Sequence, residues 1–396
     1  MSDTIDLAPG TEAELAEAVA DAASRSTPLE IAGGGSRAGL GRPVQAARRL
    51  STGGLSGIEL YEPGALTLVA GAGTPLAEIE AALAAEGQML PFEPMDHRAL
   101  LGTAGEPTLG GMVATAASGP RRISAGACRD AMLGVRFVNG RGEAVANGGR
   151  VMKNVTGYDL VKLMAGAHGT LGVLTQVAFK VLPAPKAVAT LTFHGLDEAR
   201  AVEAMSAALG SPFQLTGAAH HPEGPGGAAA TILRLEGLEG SVAYRADALR
   251  TELARFGEAD IERDPALHAA LWRRTRDAEP LAGLPGAVWR LSVRPSDAPD
   301  ILARLRARRD ILGLVMDWGG GLVHLATPEE GDAGAADLRA ETARAGGHAT
   351  LIRASAATRA AVAVFEPEAP GLARIAAGLR AKFDPHGILN PGRMSA

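Results

Sequence analysis

The 396-residue chain contains one cysteine, Cys128. A single cysteine excludes an intrachain disulfide and a cysteine-built metal cage, and it suits a reducing cytosol. No stretch approaches the ~18 consecutive apolar residues of a transmembrane helix. Residues 1–6 are polar and acidic, where a secretory signal would be running into an apolar core. A basic excess is also missing. The net charge of −5 argues against nucleic acid or an anionic membrane surface as partner. These absences lead us to expect a cytoplasmic protein that reaches a membrane only through partner subunits.

Glycine is what the chain has in excess. There are 51 glycines in 396 residues, close to twice the typical ~7% usage. Hydrophobic residues make up 46%, enough for the cores of two or three domains. The glycines sit in short clusters inside apolar segments, where they allow close backbone approach or positive φ. Gly33-Gly34-Gly35-Ser36 follows an apolar run at residues 29–32, and such a turn either presents amides to an anion or simply turns the chain. Residues 66–83 read as strand, Gly71-Ala72-Gly73 and helix, which is half of a dinucleotide fingerprint. The third glycine position is Leu76, so a structural turn is the better reading.

A second cluster runs from Thr108-Leu109-Gly110-Gly111-Met112 to Ser118-Gly119-Pro120-Arg121-Arg122. Its small residues suit a backbone pressed against a planar ligand. A third cluster runs from Lys153-Asn154-Val155-Thr156-Gly157-Tyr158-Asp159 to Gly169-Thr170-Leu171-Gly172-Val173.

The order of elements fits an α+β protein. Thr11 and Glu14 form a capping-box pattern before a helix, and Thr74 and Pro75 resemble the N-cap and first residue of a helix running to about Glu86. Strands are expected at 29–32, 66–70, 131–139, 171–181, 189–194, 231–235, 287–293 and 314–317. Helices are expected at 197–208, 242–256, 296–308, 335–345 and after 370. The segment from His220-His221 to Gly227 reads as a surface loop. Pro183 to Pro185 marks a boundary. The expected division is 1–183, 184–369 as an α+β cap, and 370–396 as a C-terminal helix and tail.

Taken in order, the clusters resemble the FAD-binding domain of the vanillyl-alcohol oxidase (PCMH-type) flavoproteins. Phe383-Asp384-Pro385-His386-Gly387 through Asn390-Pro391-Gly392-Arg393 is similar to the tail of the glycolate oxidase and D-lactate dehydrogenase branch. Pro91-Phe92-Glu93-Pro94 and the residues 151–159 narrow the likeness to the E-subunit group of bacterial glycolate oxidases. The resemblance implies a two-part FAD-binding domain, an α+β cap and a tail that returns to the flavin. It implies FAD contacts at Gly33, Gly34, Gly35, Ser36, Thr108, Gly110, Gly111, Ser118, Gly119, Arg122, Gly172, Val173 and Asn390. It also implies partners, namely a second FAD subunit (GlcD-like) and an iron–sulfur subunit (GlcF-like), with a small 2-hydroxy acid as substrate.

Relatives in this superfamily often hold a divalent metal with two histidines and a glutamate. Here the matching positions carry Asp317, His324 and Gly347-His348-Ala349, so no metal site is expected. A substrate carboxylate then needs another cation, and Arg276 and Arg290 are the candidates through a guanidinium fork, though either could equally pair with Asp277 or Glu279. Position 37 is arginine, not histidine, and a non-covalent FAD is expected.

Overall fold

The computed structural model describes residues 5–150, 157–224 and 226–394. Residues 151–156 of the third glycine cluster lie outside them.

The N-terminal region carries two sheets. Ile5–Leu7, Arg48–Ser51 and Leu29–Ala32 form a parallel three-stranded sheet in that order. The helix Glu12–Ser24 packs on it through Leu15, Val19 and Ala22. Its start is set as the sequence implies. Thr11 Oγ1 accepts from Glu14 N, while the Glu14 carboxylate reaches Gly10 N. The second sheet is antiparallel, in the order Ile58–Glu62, Thr67–Gly71, Val173–Lys180, Met132–Val138 and Ala144–Gly148. The helices Leu76–Ala85 and Leu109–Ala114 cover its inner face over Leu68, Phe137, Val177 and Phe179.

The region after residue 186 is built on one antiparallel eight-stranded sheet. Its order is Ala259–Glu262, Ala187–His194, Ala230–Gly237, Gly217–His221, Gly313–Asp317, Leu322–Thr327, Ala287–Ser292 and His348–Arg353. The helices Glu198–Leu209, Glu239–Glu252, Ala298–Arg306 and Ala335–Arg344 pack on one face, where Leu191, Leu233, Trp289 and Met316 form the core. Period-two alternation sends Arg234, Glu236, Arg290 and His324 to the other face. That face meets the N-terminal region. Half of it is covered by the helix Pro265–Arg276, anchored by Trp272 Nε1 donating to Thr190 Oγ1 at 3.0 Å. Over the rest, Val288, Val315, Ala326 and Ile352 pack against Leu40, Met95 and Leu100.

A buried ionic cluster also holds the two halves together. Arg234, 1% exposed, grips both Glu93 oxygens at 2.9 and 2.8 Å and lies over the Trp272 ring. Arg121 pairs with Glu93 and with Glu236. The C-terminal tail closes the N-terminal sheet, with Leu29 N donating to Ile388 O and Asn390 N donating to Leu29 O.

Two local expectations are corrected. Thr74 is not a helix cap: its hydroxyl is drawn to Gly71 O at 2.7 Å and to Gly57, and Pro75 takes the cap position. His220 and His221 are not in a surface loop. They end a fully buried strand, with their rings bonded to Thr231 and Thr275. Polar side chains that satisfy each other across a sheet hide a strand from a hydrophobicity pattern. The Gly71-Ala72-Gly73 turn is structural, since a Cβ on either glycine would meet backbone oxygens of Leu55 and Thr52 at 2.3 and 2.2 Å.

Candidate cofactor cleft and acid pocket

A cleft of about 890 Å³ runs between the two N-terminal sheets. Its walls are backbone-rich: Gly33 to Ser36 on one side, Thr108, Gly110, Gly111 and Gly172 on the other. The glycines are required by packing as well as by any ligand. A Cβ on Gly34 would lie 2.0 Å from Glu106 O, and Gly35 has φ +82°. Thr108 caps the helix Leu109–Ala114, bringing Gly110 and Gly111 to the cleft wall.

Asn390 also lines the cleft, but both ends of its amide are committed. Its oxygen accepts from Ile31 N and its nitrogen donates to His168 O, each at 2.8 Å. Asn390 therefore sets the shape of the cleft by joining the tail to two walls. The Val173 side chain points away, into the core with Leu29, Leu50 and Leu389.

The cleft is basic. Arg37 and Arg49 line it, and neither has a carboxylate partner among the described residues. Arg37 is 8% exposed and its Nε has no hydrogen-bond partner. Burial lowers its pKa to about 10, which leaves it charged at neutral pH. One buried and one half-buried guanidinium group, neither in an ion pair among the described residues, beside an open glycine wall fit a diphosphate. Sequence reasoning missed these two arginines because a lone arginine carries no spacing signal.

A second cavity, of about 770 Å³, adjoins the first and shares Leu40, Thr115 and His168 with it. Ser118, Gly119 and Arg122 lie here and not beside Gly33 to Ser36. Gly119 is pinned on both sides. Its N–H donates to Phe92 O, and its carbonyl accepts from Trp318 Nε1 at 3.1 Å. The eight-stranded sheet supplies the opposite wall with Arg290, Asp317, His324 and Thr350.

The two arginines expected from sequence differ sharply. Arg276 is bound by both Asp277 oxygens, at 2.8 and 2.7 Å, so its charge is already met. Arg290 makes no hydrogen bond or ion pair among the described residues. Burial lowers its pKa to about 10, with Arg122 adding to the effect. Arg290 and Arg122 both pack on Trp318, at 5.5 and 4.7 Å from the ring centre. Trp318 itself has φ +53°, a strained conformation for a bulky residue. Two cations without an ion-pair partner among the described residues thus rest on one indole.

The remaining titratable groups are neutral or tuned. His324, paired across strands with Arg290, is held to a pKa of about 3 by burial and by that arginine. Burial also takes His97 to about 3, beside Arg37. Burial raises Asp317 to about 7, against the pull of the Trp318 N–H and of Arg234. No cluster of three acidic, histidine or cysteine side chains suited to a metal occurs among the described residues. Cys128 is buried and lines neither cavity.

Residues 5–146 match the family model of the FAD binding domain. Over 387 residues the chain is 39% identical to glycolate oxidase subunit GlcE of Escherichia coli K12, covering 96% of this chain and 97% of that one. The chain belongs to the GlcE family of FAD-linked oxidoreductases. D-lactate dehydrogenase of Anaerostipes hadrus shares 45% identity over 84 residues, 21% of this chain and 18% of that one. In structure, alkyldihydroxyacetonephosphate synthase superposes with a TM-score of 0.67 at 17% identity, covering 98% of this chain and 76% of that one. That likeness shows a shared PCMH-type fold. FAD is the cofactor of the GlcE family, and the glycine-walled basic cleft fits it. No helix among the described residues is long and apolar enough to cross a membrane.

Proposed function

We propose that this chain is the FAD-carrying E-type subunit of a 2-hydroxy-acid dehydrogenase acting on glycolate or D-lactate, and that it holds the acid in its own second cavity. The observation that carries this reading is the unpaired Arg290–Trp318–Arg122 site, next to the cofactor cleft and sharing three of its wall residues.

In this reading Gly33 to Ser36, Thr108, Gly110, Gly111 and Gly172 wrap FAD, with Arg37 and Arg49 facing its diphosphate. Ser118, Gly119 and Arg122 border its reactive end. Val173 and Asn390 keep the walls in place. When bound, FAD accepts the hydrogen and electron pair of the substrate's Cα–H bond. Arg290, with Arg122 beside it, holds the substrate carboxylate in a guanidinium fork. The anchored carboxylate orients the neighbouring carbinol carbon, and the apolar seam of Leu40, Met95 and Ile352 excludes water.

The same reading takes 1–183 as the cofactor domain, since Leu182–Pro183 still pairs with Gln88–Met89. Residues 184–369 then form the cap and 370–396 the closing tail. The GlcE likeness supports partners that receive the electrons: a second FAD subunit and an iron–sulfur subunit, in the cytoplasm or at a membrane through those partners.

Oxalate, an unreactive two-carbon dicarboxylate, tests the acid pocket. Adding it to the flavin-loaded chain should perturb the flavin's visible band. Arg290→Ala should weaken oxalate by about a hundredfold, the worth of hydrogen bonds to a charged group, while FAD content is unchanged. A flavin band indifferent to oxalate would move the substrate to a partner subunit.

A further inference from the structure

The second cavity contains a carboxyl group that carbon–hydrogen chemistry and carboxylate binding leave unused. Asp317 ends the strand Gly313–Asp317, two strands from Arg290, on the sheet face that carries Arg290 and His324. Its residue is 3% exposed. One oxygen accepts from Trp318 N at 2.7 Å, and the other makes no hydrogen bond among the described residues. The carboxyl thus stands on the same wall as the anion site, directly before the tryptophan on which both arginines rest.

Its charged surroundings are arranged in opposition. Arg234 and Glu93 approach from a cap strand two away and from the cofactor domain, already paired with each other. Arg276 is neutralised by Asp277. His221 on the adjacent strand is tied to Thr275, and His220 lies on the far face of the sheet with Met316. Arg290 and Arg122 rest on the ring of Trp318, the residue after Asp317.

We propose that Asp317 is the group that takes the hydroxyl proton of the bound 2-hydroxy acid. This rests on the acid pocket described above. Forming the 2-oxo acid breaks one O–H and one Cα–H bond. The proton of the O–H bond passes to the free oxygen of Asp317, and its electron pair stays on oxygen to complete the C=O bond. The hydrogen and electron pair of the Cα–H bond go to FAD.

Three other bases line the cavity, His97, His168 and His324, and all are far weaker: burial holds their pKa values near 3, 4 and 3, against about 7 for Asp317. A base matched to neutral pH is the effective one. Once protonated, Asp317 also removes a negative charge from a pocket that holds a carboxylate.

Oxalate separates this proposal from the pocket itself. Its second carboxylate takes the place of the hydroxyl end and meets Asp317, so binding requires a proton. In the wild-type holoprotein the oxalate Kd should rise about tenfold per pH unit above 7, and in Asp317→Asn it should be flat over the same range. Calorimetry of the wild type in buffers of different ionisation enthalpy gives an independent reading. About one proton should be taken up per oxalate bound near pH 8. A slope that persists in Asp317→Asn, or no proton uptake by the wild type, overturns the assignment and leaves the pocket standing. Failure of the wild type to bind oxalate at any pH overturns the pocket and the assignment together.

Discussion

The cofactor cleft and the acid pocket share three wall residues yet are made in opposite ways. The cleft is built from backbone contributed by short contiguous turns, and its selectivity comes from space and from two arginines. The pocket is built from side chains spread from Leu40 to Phe365, which the N-terminal region and the eight-stranded sheet bring together only in the folded protein. A backbone site tolerates little added volume. A side-chain site tolerates volume but depends on charge.

The first way to test that contrast is to add volume to the cleft. A Cβ at Gly34 already lies 2.0 Å from Glu106 O, so Gly34→Val should leave a colourless protein, and the ratio of flavin to protein absorbance reads this. The second is to break the joint between the regions. Arg234→Met removes the cation that grips both Glu93 oxygens, leaving Arg121 as the one arginine for Glu93 and Glu236, and should cost about 3 kcal/mol in denaturant unfolding, impairing both sites together.

The pocket's two arginines sharpen the comparison further. Arg290→Ala should cost oxalate affinity and little stability. Arg276→Ala should do the reverse. It leaves Asp277 buried without its cation, with oxalate affinity changed by less than about threefold.

The smallest effect is on pH-dependent stability. Asp317 has a raised pKa, so the folded protein keeps a proton that the unfolded chain has released. The stability tied to that proton is complete below the ordinary aspartate range and is lost as pH rises through about 7. Asp317→Asn should therefore raise the melting temperature by a few degrees at pH values above 7 and by much less in mild acid. A variant that melts lower than wild type above pH 7 would show that the carboxylate is stabilised by neighbours that outweigh its burial.

The same contrast explains what could be read from the sequence. The cleft was legible because Gly33 to Ser36, Gly110-Gly111 and Gly172 are contiguous motifs, and their order carried the family likeness. Helix starts such as Thr11 with Glu14 were legible because capping is local. The strands Gly217–His221, Leu322–Thr327 and His348–Arg353 were not, since they carry histidines and small residues whose burial is compensated by partners distant in sequence. Arg276 and Arg290 looked equivalent in the sequence. Only the fold shows that Asp277 claims one while the other faces Trp318 without a counter-charge. Asp317 could be seen as a lost metal-ligand position, but its burial and its place beside Arg290 arise from strand pairing.

The central claim is that this chain carries both the flavin and the acid pocket. The most direct measurement is the anaerobic visible spectrum of the purified flavin-loaded chain before and after glycolate or D-lactate. The account predicts that one of these acids bleaches the flavin band in the wild type and not in Arg290→Ala. A full flavin band left unchanged by saturating amounts of both acids would contradict it and assign substrate oxidation to a partner subunit.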